Sequence, residues 1–127
     1  MAEPIKMNTN VLAWIGDATY ELYIRKHVVA TGQIHADKLH TSAVKFVKAD
    51  AQAKVIKEIF ESLPEEEQVL VKRARNKKSN TKAKNADPID YKWATAFEAL
   101  IGYYYLAEKT EELESVLSKS VEIIQHR

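Results

Sequence analysis

Two acids stand in segments that otherwise exclude charge. Asp17 is the only charged residue in Val11-Leu12-Ala13-Trp14-Ile15-Gly16-Asp17-Ala18-Thr19-Tyr20, and Glu98 is the only one between Ala96 and Ala107. Helices that are apolar nearly all round are the buried ones, and an ionised carboxylate in a core is costly unless something compensates it. Each acid therefore needs a partner. If the two segments are helices packed side by side, the acids converge, and like charges held together at low dielectric recruit a cation. Hard oxygen ligands select Mg²⁺ or Mn²⁺. The competing reading gives each acid a Lys or Arg partner, a backbone to cap, or a narrow polar stripe facing solvent.

A second chemical feature is basic. From Lys72 to Lys84 the chain holds seven cations and no acid, which leaves twelve cations against eighteen acids, a net of −6, for the remainder. The formal total of +1 is thus a cancellation. A +7 stretch on an acidic body suits a polyanion, because cations displace condensed counterions while Ser, Thr and Asn add phosphate hydrogen bonds. It holds no aromatic residue, so base stacking is not indicated within it. A solvated loop that favours the preceding helix C-terminus, or one that meets an acidic protein partner, is the alternative.

Other chemistries drop out. The chain has no cysteine, which excludes disulfides, thiolate nucleophiles and thiolate metal sites. His27, His35, His40 and His126 show no metal-ligand spacing, and no glycine-rich phosphate loop is present. Met1 to Asn10 lacks the basic opening and apolar run of a secretory signal, and no stretch of about 18 apolar residues occurs. The expectation is a cytoplasmic protein with no membrane span.

These residues must be positioned by helices. Gly and Pro are scarce, three of each, and apolar residues recur at three and four, so the 127 residues read as one all-α domain of about six helices. The first starts after Asn8, Thr9 or Asn10 and runs to Gly32; the second covers about Asp37 to Val47; the third follows from about Ala49 through Phe60. Pro64 suits a first turn, with Glu65, Glu66 and Glu67 at the positive end of a helix reaching about Arg75. After a basic loop at about 72–86, Asp87-Pro88-Ile89-Asp90 reads as a capping-box start for a helix to about Ala107. Thr110 is expected to cap a last amphipathic helix. Tyr103, Tyr104 and Tyr105 must point in three directions, so at least one is a candidate for facing a partner.

Trp14-Ile15-Gly16-Asp17-Ala18, followed by Tyr20-Glu21-Leu22, resembles the signature helix of ribonuclease III domains, and Phe97-Glu98-Ala99-Leu100-Ile101-Gly102 resembles their second acidic motif. With Arg73-Ala74-Arg75-Asn76-Lys77-Lys78-Ser79 between them, the chain looks like the Mini-ribonuclease III branch, which lacks a separate double-stranded-RNA-binding domain. The likeness covers about Asn8 to Ile124. It implies a single catalytic domain over 1–127 that forms a homodimer and cuts double-stranded RNA with Mg²⁺, leaving 5′-phosphate and 3′-hydroxyl ends. The implied substrate is the stem of precursor 23S ribosomal RNA, with a ribosomal protein as a candidate assistant. Asp17 and Glu98 match the catalytic, metal-binding acids. Arg73, Arg75, Asn76, Lys77, Lys78, Ser79, Lys82 and Lys84 are the candidate RNA contacts.

The sequence departs from the larger family at the site. Asn10 and Ala13 stand where two further glutamates of the first motif would be, Thr95 stands where an aspartate would be, and Ala74 replaces a glycine of the basic motif. Two carboxylates remain, which argues against a two-metal site and for waters or RNA phosphate oxygens filling the cation's coordination sphere. The same reduction motivates the alternative of a catalytically silent duplex-RNA-binding or ribosome-assembly module. A helical protein-interaction module with a basic loop is a third reading.

Overall fold

Residues 3–77 and 87–126 are described by the structure, a computed structural model. They form six helices: α1 Thr9–Val29, α2 Ala36–Val47, α3 Ala49–Ile59, α4 Glu65–Asn76, α5 Pro88–Leu106 and α6 Thr110–Gln125. Two short 3-10 turns, Pro4–Lys6 and Phe60–Ser62, precede α1 and follow α3. Among the described residues there is no strand, so the fold is all-α.

The caps set where the site helices begin. Asn8 Oδ1 accepts from the Asn10 N–H at 2.8 Å and starts α1. Asp87 Oδ1 accepts from Ile89 N–H at 2.7 Å and from Asp90 N–H at 3.3 Å, with Pro88 in the first turn of α5. The Asp90 carboxylate lies 3.9 Å from Lys57 Nζ of α3. Two other expected starts differ by one position. Pro64 is the cap residue of α4 rather than part of its first turn, and Lys109 rather than Thr110 precedes α6, with no side-chain cap bond at either.

Helix α5 is the central element. Its buried residues include Ala94, Ala96, Phe97, Ala99, Leu100, Ile101 and Gly102, on nearly every side of the helix, and α1, α3, α4 and α6 all pack against it. Small residues at 94, 96, 99 and 102 let the neighbours approach, while Phe97 meets Tyr20 of α1 edge-to-face with ring centroids 5.0 Å apart. The Tyr20 hydroxyl donates to the Phe46 carbonyl at 2.9 Å and so ties α1 to the end of α2. Glu67, one of the three acids in the first turn of α4, is only 2% exposed. It accepts from the Tyr104 hydroxyl and lies 3.9 Å from Lys109 Nζ, which pins α4 to the end of α5. Of the three tyrosines, Tyr103 and Tyr104 are buried and Tyr105 is exposed.

Candidate active site

Two glycines let α1 and α5 cross at backbone contact. A Cβ on Gly16 would lie 1.7 Å from the Glu98 carbonyl oxygen, and a Cβ on Gly102 would lie 1.9 Å from the Leu12 carbonyl oxygen. Real Cβ atoms do not tolerate such distances, so hydrogen is the only side chain that fits at either position. Gly16 directly precedes Asp17, and Gly102 is four residues after Glu98, on the same helix face. The crossing point is therefore also the meeting point of the two acids.

Asp17 is exposed and Glu98 half-buried, and their carboxyls lie within hydrogen-bonding reach of each other. Burial pushes the Glu98 carboxyl from 4.5 up to about 9, with the Asp17 charge and the hydrogen bond to the Asp17 carboxyl adding to the rise. The Gln52 side-chain amide of α3 opposes the shift by favouring the ionised form, while the Glu21 charge raises it further. No ion pair among the described residues includes Asp17 or Glu98. The reading that pairs each acid with a basic side chain thus finds no support among those residues.

Gln52 is a site residue that sequence reasoning missed. It is 3% exposed, its Nε2 donates to the Val47 carbonyl at 2.8 Å, and its buried Oε1 has no hydrogen-bond partner. A buried amide in a run of Ala51, Ala53 and Val55 was the available signal, since an apolar side chain would pack there without leaving a polar atom unsatisfied. No group of three or more His, Asp or Glu residues suited to a metal occurs among the described residues. Ala13 is buried and carries no donor, and the Thr95 hydroxyl donates to the Tyr91 carbonyl at 3.0 Å. The hard donors present are the two carboxyls. That set fits a hydrated Mg²⁺ or Mn²⁺ held by few protein ligands.

The basic residues divide. The Arg73 guanidinium donates to the carbonyls of Ile5 at 3.1 Å and Met7 at 3.0 Å, fastening the N-terminal turn to α4. Lys77 Nζ donates to Asn8 Oδ1, the α1 cap, at 2.7 Å. Arg75 stacks over Trp93, its guanidinium carbon 4.8 Å from the ring centroid, and Nε donates to the exposed Asn76 at 3.0 Å. Lys78, Ser79, Lys82 and Lys84 lie outside the described residues.

Comparison with known proteins identifies the family. The ribonuclease III domain family matches residues 10–109. A Mini-ribonuclease 3 of Brevibacillus brevis is 47% identical over 123 residues, covering 97% of this chain and 92% of the relative. One from Streptococcus pneumoniae is 43% identical over 121 residues, with 94% of each chain covered. The crystal structure of a Fusobacterium nucleatum protein superposes with a TM-score of 0.83 at 34% identity, covering 92% of this chain and 93% of that one. Among the described residues no helix is long and apolar enough to cross a membrane.

Proposed function

The chain belongs to the ribonuclease III domain family and is an endoribonuclease, and from that premise we propose that it cleaves double-stranded RNA with Mg²⁺ at a site centred on Asp17 and Glu98. The observation that carries this reading is the glycine-lined crossing of α1 and α5, which holds the two carboxyls together with no basic partner among the described residues. Asp17 and Glu98 would hold the cation. When bound, it supplies charge stabilisation at the phosphodiester and lowers the pKa of the attacking water.

The chain's own residues set the conditions for that chemistry. Glu98 must lose its proton to act as a ligand, and the Gln52 amide favours the ionised form in a half-buried setting that otherwise opposes it. Exposed Asp17 faces the solvent from which substrate arrives. Lys77, Arg75 and the cations of 78–86 supply duplex affinity by contacts to phosphate rather than to base edges.

The reading extends to a homodimer acting in the cytoplasm, each protomer a single catalytic domain cutting one strand. An exposed apolar stripe supports the dimer. Val11, Trp14 and Leu22 are 45%, 76% and 62% exposed on α1 beside Asp17, spaced to share one helix face. An indole that exposed on the helix of the site is a surface for a partner to cover. A sedimentation mass near twice 14.5 kDa is expected, and one near 14.5 kDa at working concentration would contradict it. The precursor 23S ribosomal RNA stem as substrate, with a ribosomal protein assisting, rests on the resemblance of the two acidic motifs.

The test is cleavage of a long RNA duplex beside the same sequence as single-stranded RNA and as duplex DNA. Mg²⁺-dependent products with 5′-phosphate ends from the RNA duplex alone are expected. Equal cutting of all three substrates would remove the duplex-RNA reading.

A further inference from the structure

Three cations from two helices converge on two aromatic rings beside the start of the basic segment. Trp93 of α5 and Phe60 of the 3-10 turn meet edge-to-face with centroids 6.3 Å apart. Over Trp93 stand the Arg75 guanidinium, at 4.8 Å, and Lys57 Nζ, at 5.8 Å. Lys72 Nζ lies 5.5 Å from the Phe60 centroid. Both rings are half-buried, so each contributes to the core while carrying cations on its outer side. One carboxylate tempers the group in an ion pair among the described residues: Asp90, 3.9 Å from Lys57 Nζ.

A cation held over a ring differs from one held in a salt bridge. The ring quadrupole attracts it without cancelling its charge, and its N–H donors are not all engaged. Lys72 takes part in no ion pair among the described residues, and the Lys57 side chain remains 47% exposed. The rings thus restrict three long side chains near one another before any ligand arrives, which lowers the entropy lost on binding a polyanion.

Placement relates the cluster to the acids. On α3, Lys57 is five residues beyond Gln52, the neighbour of Glu98; on α5, Trp93 is five residues before Glu98. The two helices therefore run antiparallel, and five residues at 1.5 Å each place the cluster about 7.5 Å along them from the acid pair. The same end of the molecule carries the end of α4 and the start of α5, which flank the basic segment.

We propose that Lys57, Lys72 and Arg75, held on Trp93 and Phe60, form a phosphate-binding platform that grips the RNA duplex beside the cut. The platform rests on the duplex-RNA reading above and adds residues outside the basic motif to it. Because the rings are half-buried and carry cations over them, they position charge rather than stack on bases, and the grip is independent of sequence.

The experiment measures binding of a labelled RNA duplex by fluorescence anisotropy without divalent cation, over a series of salt concentrations. Wild type is compared with the double variant Lys57→Gln, Lys72→Gln and with Lys57→Arg, Lys72→Arg, which keeps the charge. The Gln pair should lose about tenfold in affinity at low salt and flatten the plot of log K against log salt by about 2. The Arg pair should bind like wild type. A folded Gln pair with wild-type affinity and slope overturns the platform alone, as does a drop in Tm shared by both pairs without a change in slope. Failure of the wild type to bind duplex RNA at all overturns the platform together with the reading beneath it.

Discussion

Gly16 sits against the backbone of Glu98 so closely that a Cβ would fall 1.7 Å from the Glu98 carbonyl oxygen. The residue that permits the helix crossing thus adjoins one acid in sequence and touches the other in space. Fold and chemistry share a single contact, and neither can be altered there without the other.

Gly16→Ala is accordingly expected to force α1 and α5 apart. Overpacking a closed core site costs about 1–3 kcal/mol and sometimes more, and a backbone oxygen cannot rotate away as a side chain can. Stability from urea unfolding should fall by about 3 kcal/mol. Displacing catalytic groups by about 1 Å costs about 100-fold in rate, so cleavage should fall at least that much. A variant of wild-type stability and activity would show that the crossing does not depend on this glycine.

The crossing was partly legible in the sequence. Asp17 and Glu98 stood out because each was the sole charge in an apolar run with a glycine nearby, and the periodicity gave helices for both. The missing piece was contact across the chain. Gln52 is one polar residue among many until α3 is laid against α5, when it becomes a buried amide beside Glu98. Likewise Glu67 reads as one of three dipole-favouring acids in Glu65-Glu66-Glu67, and only packing reveals that it faces Tyr104. The cap of α6 was misplaced by one residue because Lys109 occupies the cap position while its side chain serves Glu67, a preference that local propensity does not contain.

Gln52→Leu separates the two roles of that residue. Leu fills similar space and removes the unpartnered buried Oε1, but it also removes the Nε2 bond to the Val47 carbonyl, so the two effects oppose each other and thermal stability should change little. The support for ionised Glu98 is lost, and residues in that position affect metal affinity or activity by about 10- to 100-fold. Calorimetric titration with Mn²⁺ alongside the cleavage rate checks both. Lower Tm with unchanged Mn²⁺ affinity would make Gln52 a packing residue only.

Stability of the metal-free protein should depend on pH through Glu98. Its carboxyl is raised from 4.5 to about 9 in the folded state, so over that interval the folded state binds more protons than the unfolded state. Stability therefore falls as pH rises from about 4.5 through about 9. Glu98→Gln should flatten this slope, and Mg²⁺ added to the wild type near pH 8 should restore stability and release protons. Melting curves at pH 6 and pH 9 for both proteins, with proton release measured in two buffers, would reveal a wild-type slope no steeper than the variant's if the assignment is wrong.

Arg73 illustrates a basic residue with structural work. Its guanidinium donates to the carbonyls of Ile5 and Met7, and charged hydrogen bonds of this kind contribute about 1.5–3 kcal/mol at most. Arg73→Ala should lower stability by about 1–2 kcal/mol and expose the N-terminal turn to hydrogen exchange, with a smaller effect on the salt dependence of RNA binding than Lys57→Gln with Lys72→Gln. Equal stability with a large loss of duplex affinity would make Arg73 an RNA contact rather than a structural residue.

The central claim is that Asp17 and Glu98 together hold the cation that enables cleavage of duplex RNA. The most direct measurement is the single-turnover rate on a saturating RNA duplex across a Mg²⁺ titration, for wild type, Asp17→Asn and Glu98→Gln, with folding checked by circular dichroism. Cleavage by the wild type that requires Mg²⁺, and a loss of at least about 100-fold in each folded variant with duplex binding retained, is the predicted result. Cleavage by the wild type without divalent cation, or unimpaired cleavage by either variant, would contradict the account.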